Sequence, residues 1–76
     1  MTEHHHLLPS EIEVLQAFWD TNGAGNKLIA VHLDKSTKTV ANQLASIAHK
    51  LDTQTRAGAL IQAIRLGLID TDRPPA

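Results

Sequence analysis

Ser36-Thr37-Lys38-Thr39-Val40-Ala41-Asn42-Gln43-Leu44-Ala45-Ser46-Ile47-Ala48-His49-Lys50-Leu51 carries the strongest periodic signal in this chain. Val40, Leu44, Ile47, Ala48 and Leu51 recur at i, i+4, i+7, i+8 and i+11, which is one apolar stripe of a helix. The opposite face carries Lys38, Asn42, Ala45 and His49, with Gln43 and Ser46 on its flanks. The stretch contains no acidic residue. A half-buried helix with a small, polar, acid-free outer face can lie in a groove of DNA, and the functional reading turns on whether this one does.

Outward from that helix, the chain divides at its polar breaks. Upstream, Asp34-Lys35 is a tight link and Ser36 is positioned to cap the helix. Before the link, Lys27 to Leu33 reads as a short helix with Ile29, Ala30 and Leu33 inward. Asn22-Gly23-Ala24-Gly25-Asn26 reads as a turn, its two glycines supplying positive φ. Pro9-Ser10-Glu11-Ile12-Glu13 reads as a helix start, with Ser10 as cap and Glu13 completing a capping box. Ile12, Leu15 and Trp19, with Val14 and Phe18 beside them, form that first helix's apolar face. Downstream, Asp52-Thr53-Gln54-Thr55 breaks the pattern, and a fourth helix runs from about Thr55 to Leu68. Leu60, Ala63, Ile64 and Gly67 are assigned to its inner side. Ala57, Ile61 and Leu68 lie on a neighbouring stripe. The expected architecture is all-α: four helices, the second and third joined in helix-turn-helix fashion. The domain is assigned to residues 8–69. Residues 1–7 and 70–76, which include Pro74-Pro75, are expected to be flexible ends.

Bulk properties narrow the function. The chain has 76 residues, room for one domain and one marginal core. Oligomerisation is a ready source of extra stability. The absence of cysteine removes disulfides and thiolate metal sites. No apolar stretch approaches the roughly 20 residues of a membrane span. Met1 to Leu8 lacks the features of a signal peptide, so a cytoplasmic location is expected. The formal net charge is −1, but its distribution is uneven. Residues 1–25 carry Glu3, Glu11, Glu13 and Asp20 without a Lys or Arg. Residues 26–51 carry Lys27, Lys35, Lys38 and Lys50 against Asp34 alone. Local potential, not net charge, steers a polyanion to a surface.

Other chemistries find little support. Nothing sets a nucleophile beside a base, and no carboxylate pair converges with a histidine, so no enzymatic activity is expected. Gly23-Ala24-Gly25-Asn26-Lys27 lacks the glycine spacing and the following Ser/Thr of a phosphate-binding loop. His4-His5-His6 is read as a solvated end or a purification remnant, not a metal site. No cofactor is expected. Trp19 and Phe18, the only aromatics, fall at core spacing with Leu15.

From about Leu8 to Ile69 the chain resembles the LuxR/GerE-type helix-turn-helix domain. The resemblance rests on Leu8-Pro9-Ser10-Glu11-Ile12-Glu13-Val14-Leu15, on Asn26-Lys27 with Ile29-Ala30 and Leu33, and on Ser36, Lys38-Thr39-Val40, Leu44, Ile47 and Lys50-Leu51. Arg56, Ala59 and Leu66-Gly67-Leu68-Ile69 extend it through the fourth helix. It implies a bacterial transcription regulator that binds duplex DNA with its third helix. Asn42 then addresses a base edge, helped by Ala41 and Ala45, with Gln43, Ser46 and His49 around them. Lys27, Ser36, Thr37, Lys38, Thr39 and Lys50 face phosphate. The resemblance also implies a homodimer through the fourth helix, here through Ala57, Ile61, Ile64 and Leu68. With six residues ahead of Leu7, a free-standing reader is expected, its signal arriving through expression level or a partner. The chain departs from the family pattern at Leu28, Lys35, Ala41, Gln43 and Thr53. These departures, with the negative net charge, keep a second reading open. In it the chain is an interaction module of the same fold that pairs with a full-length LuxR-type regulator and inhibits it.

Overall fold

The computed structural model of the protein describes residues 7–72. Among them are four helices: α1 (Pro9–Asp20), α2 (Asn26–Leu33), α3 (Thr37–Lys50) and α4 (Arg56–Arg65). No strand occurs among the described residues. The expected all-α plan holds, with α3 packed against each of the other three helices. His4-His5-His6, the other residues ahead of Leu7, and Pro74-Pro75 lie outside the described residues.

Helix α1 starts earlier than its composition implied. Pro9 occupies the first helical position, where its fixed φ suits the helix and its missing N–H is not needed. Leu8, not Ser10, is the preceding cap residue. That frame puts Glu11, not Glu13, three residues beyond the cap, and its Oε1 accepts the Leu8 N–H at 2.8 Å. The buried face also differs from the expected one. Val14, Leu15, Ala17 and Phe18 are buried, whereas Ile12 and Trp19 pack only at the margin.

The two short helices differ from expectation in smaller ways. Gly25 caps α2 in an extended conformation with φ −73°, so it supplies no positive φ. Asn22 and Gly23 do that work. The link Asp34-Lys35 is as short as expected, and Ser36 caps α3 by accepting the Thr39 N–H at 3.0 Å. Helix α4 is capped by Thr55, which accepts the Gly58 N–H at 2.9 Å. It stops at Arg65, three residues short of Leu68, because Gly67 turns left-handed at φ +70°.

All four helices end in the same way. The residues Asn22, Asp34, Asp52 and Gly67 have positive φ of 60°, 57°, 58° and 70°. Each donates its N–H back to a carbonyl three residues earlier, and the next residue donates to one five residues earlier. The second bonds are Gly23 to Phe18, Lys35 to Ala30, Thr53 to Ala48 and Leu68 to Ala63, at 2.8–2.9 Å. This double closure satisfies carbonyls that the helix itself leaves open.

The core draws on every element. Leu15 and Val14 of α1, Ile29 of α2, and Val40 and Ile47 of α3 are fully buried. Helix α4 contributes only Ala59 and Ala63 to the buried set, with Ile69 following it. Ile64, assigned above to the inner side, is instead exposed with Ile61, and Ala59 and Ala63 take the buried positions of α4. Beyond α4, the Gln16 amide pairs with both backbone groups of Asp70, donating to its carbonyl at 2.8 Å and accepting its N–H at 2.7 Å.

Candidate nucleic-acid interface

The stripe on α3 that periodicity placed outward is outward. Lys38, Asn42, Ala45 and His49 are all exposed, as are Thr37 and Thr39 at the start of the helix. At 1.5 Å per residue the stripe is about 16 Å long. Ala41 borders it, half-buried. Its side chains are short in the middle and polar at both ends, so the backbone of α3 can come close to an opposing surface.

The remaining polar groups of α3 face α1 and are engaged there. Lys50 Nζ lies 2.7 Å from Glu11 Oε1, and Ser46 Oγ donates to Glu11 Oε2 at 2.9 Å. One turn away, Lys35 Nζ donates to Gln43 Oε1 at 3.2 Å and lies 3.4 Å from Glu13. Lys35 and Gln43 are two of the positions that depart from the family pattern, and they meet each other. Together these contacts form a polar seam along the α1–α3 boundary. The structure therefore separates the twelve candidate DNA-facing residues. Gln43, Ser46 and Lys50 are turned to the seam, whereas Lys38, Asn42, Ala45 and His49 share one open face.

Glu11 is the centre of that seam and is only 3% exposed. Burial pushes its carboxyl up, but hydrogen bonds from Lys50, the Leu8 N–H and Ser46, together with the Lys50 charge, outweigh burial. The net result is a carboxyl held below the ordinary glutamate value.

Lys27 and Lys38 are a different kind of cation. Each lies in the first turn of its helix, exposed, and neither has an ion-pair partner among the described residues. Neither α2 nor α3 has an acidic residue in its first turn. A lysine near the positive end of a helix dipole weakens the helix by a few tenths of a kcal/mol. The same arrangement favours an anion, since lysine, dipole and free N–H groups act in one direction. The hydroxyls of Ser36 and Thr39 lie 2.8 Å apart at the α3 start.

Two groups that position this face were not read from the sequence. Arg56, in the first turn of α4, donates through Nη1 to Asn26 Oδ1 and through Nη2 to the Ala24 carbonyl at 2.6 Å. Its guanidinium sits 4.6 Å from the centroid of the Phe18 ring. One side chain thus joins α4 to α1, to the turn, and to the residue before Lys27. The available signal was a cation at the unfavourable end of a helix dipole. Glu11 was visible only as part of the first helix's start, because hydropathy excludes a charge from the buried face.

The candidate dimer residues also divide. Ala57, Ile61 and Ile64 are exposed on α4, Ile61 at 53% and Ile64 at 38%. Leu68 is half-buried against the core, beyond the helix end. No described helix is long and apolar enough to cross a membrane.

The family model for bacterial regulatory proteins of the luxR family matches residues 5–63. The transcriptional regulatory protein DegU of Brevibacillus brevis is 35% identical over 65 residues, which cover 86% of this chain and 27% of the relative. The chain spans about a quarter of that relative's length.

Proposed function

The chain belongs to the luxR family of bacterial regulatory proteins and carries its helix-turn-helix DNA-binding domain, and on that premise we propose that it reads duplex DNA through α3 lying in the major groove. The observation that carries this reading is the open, acid-free stripe of Lys38, Asn42, Ala45 and His49. Asn42 reads a base edge, an amide being suited to a bidentate pair with adenine. Ala45 and Ala41 offer methyl groups to thymine in the same groove. His49 stands at the far end of the stripe. Lys27, Lys38, Thr37 and Thr39, with the helix start at Ser36, hold phosphates and set the register.

The protein acts as a homodimer through α4, with Ala57, Ile61 and Ile64 at the contact and Leu68 at its edge. Two exposed isoleucines on consecutive turns of a short helix support this arrangement. A symmetric pair presents two copies of α3 to two half-sites. Its place of action is the cytoplasm, on the nucleoid when bound to DNA.

The test is selection from random duplex DNA at low and moderate salt, with sequencing of the bound fraction. Recovery of a palindrome is expected. Asn42→Ala should relax preference at one position of each half-site, and Lys38→Met should weaken all sequences alike. Equal loss over all sequences for both variants removes Asn42 from the readers. Absence of binding even at low salt favours instead an interaction module that pairs with another LuxR-type regulator.

A further inference from the structure

We propose that Glu11 withholds Lys50 from DNA, so that a residue of α1 sets how much positive charge α3 delivers to the phosphate backbone. The proposal rests on the DNA-reading function above. By sequence alone Lys50 ranks with Lys38 as a phosphate contact, since both lie on the same acid-free helix. The geometry separates them. Lys38 is open and unpaired among the described residues. Lys50 lies 2.7 Å from a carboxylate oxygen that is itself buried.

A buried carboxylate cannot exchange its partner for water without a large loss, so the pair is not one that a solvated phosphate displaces easily. Ser46 fills the other oxygen of the same carboxylate at 2.9 Å. The Leu8 N–H shares the first oxygen with Lys50. Glu11 thus anchors two positions of α3 one turn apart and acts as a positioning residue, fixing the rotation at which the stripe is presented. The Lys50 side chain as a whole remains 31% exposed. Once the carboxylate charge is removed, its ammonium is free to swing outward on its flexible stem.

The experiment measures affinity for a mixed-sequence DNA duplex as a function of salt. Each phosphate neutralised by a lysine contributes about 0.9 to the slope of log K against log salt. Glu11→Gln keeps the shape and the acceptor for Leu8 while removing the charge. It should steepen the slope by about 0.9 per subunit, an extra affinity loss of about 3.5-fold per subunit between 50 and 200 mM salt. Adding Lys50→Met to Glu11→Gln should return the slope to that of the unaltered protein. A change of fold stability alone would not move the slope up and then back. A Glu11→Gln slope equal to the unaltered one overturns the proposal, as does a double variant that stays steep. Lys38→Met, read alongside, should flatten the slope by about 0.9 per subunit. If it does while Glu11→Gln changes nothing, the DNA reading stands and this inference falls alone. If the unaltered protein shows no salt-dependent binding, both fall.

Discussion

A carboxylate that is 3% exposed and still charged needs donors on both oxygens, and Glu11 has three. Its folded value lies below the ordinary one. Its stabilising effect is therefore complete above about pH 4.3, the unperturbed glutamate value, and is lost as pH falls through the folded value. Urea unfolding of the protein and of Glu11→Gln across acid pH should show their stability difference constant near neutrality and shrinking on acidification. A difference that does not change would mean that Glu11 is not held as the anion. Lys50→Met alone leaves that carboxylate buried without its counter-charge, and should cost about 3 kcal/mol in the same assay. The two changes together should cost less than their sum. None of this was visible in the hydropathy pattern. A carboxylate on the inner face looks like noise in an apolar stripe, although Glu11 shares the i, i+3, i+4, i+7 face of Val14, Leu15 and Phe18.

At the scale of elements, the sequence was most informative where one signal had one cause. The α3 stripe, its Ser36 cap and the short Asp34-Lys35 link were all legible, because apolar period, capping chemistry and turn length agreed. Helix ends were less legible. Three of the four left-handed terminal residues are Asn or Asp, so the glycine signal marks only α4 among them. Isolated non-glycine residues in this conformation cost about 1 kcal/mol each, less for Asn and Asp than for other types. Asp52→Gly should consequently raise the thermal midpoint slightly, by an amount equivalent to at most about 1 kcal/mol. Gly67→Ala tests the converse. Its added methyl would meet nothing within 4 Å, so a loss of about 1 kcal/mol would report backbone conformation alone. No measurable loss would show that the end of α4 relaxes to another geometry. The inner face of α4 was misread for a related reason: its most hydrophobic residues are not its buried ones. Ala59 and Ala63 are buried for their size, whereas Ile61 and Ile64 point away.

Across the whole molecule, long-range polar contacts tie together what local patterns cannot. Arg56 bridges 30 residues to Asn26, and Gln16 bridges 54 to Asp70. Such pairings leave no periodic trace, which is why the sequence did not reveal them. Arg56→Met keeps much of the stem while losing the guanidinium over Phe18 and its two acceptors. It should destabilise the domain by about 1–3 kcal/mol. An unchanged unfolding midpoint would show that the turn is held by its backbone alone. Assembly belongs to this scale too. If the protein pairs through α4 as proposed, Ile61→Glu should yield a monomer by light scattering with weakened DNA binding, and a variant that stays dimeric would locate the contact elsewhere.

The alanine-lined inner face of α4 carries a consequence for how the molecule opens. Cooperative units unlock in order of the apolar area that holds them. The fully buried side chains of α1, α2 and α3 are bulky, whereas α4 buries two methyl groups and packs Leu60 only partly against the core. Amide hydrogens of α4 should then exchange with solvent before those of α1 and α3, through a partial unfolding that leaves the other three helices in place. Under the proposed α4 pairing, a second copy on the outer face would favour the closed form, and mass action would make that opening depend on how much protein is present. Protection of α4 that rises with protein concentration, while that of α3 stays level, would mark α4 as a helix completed by association.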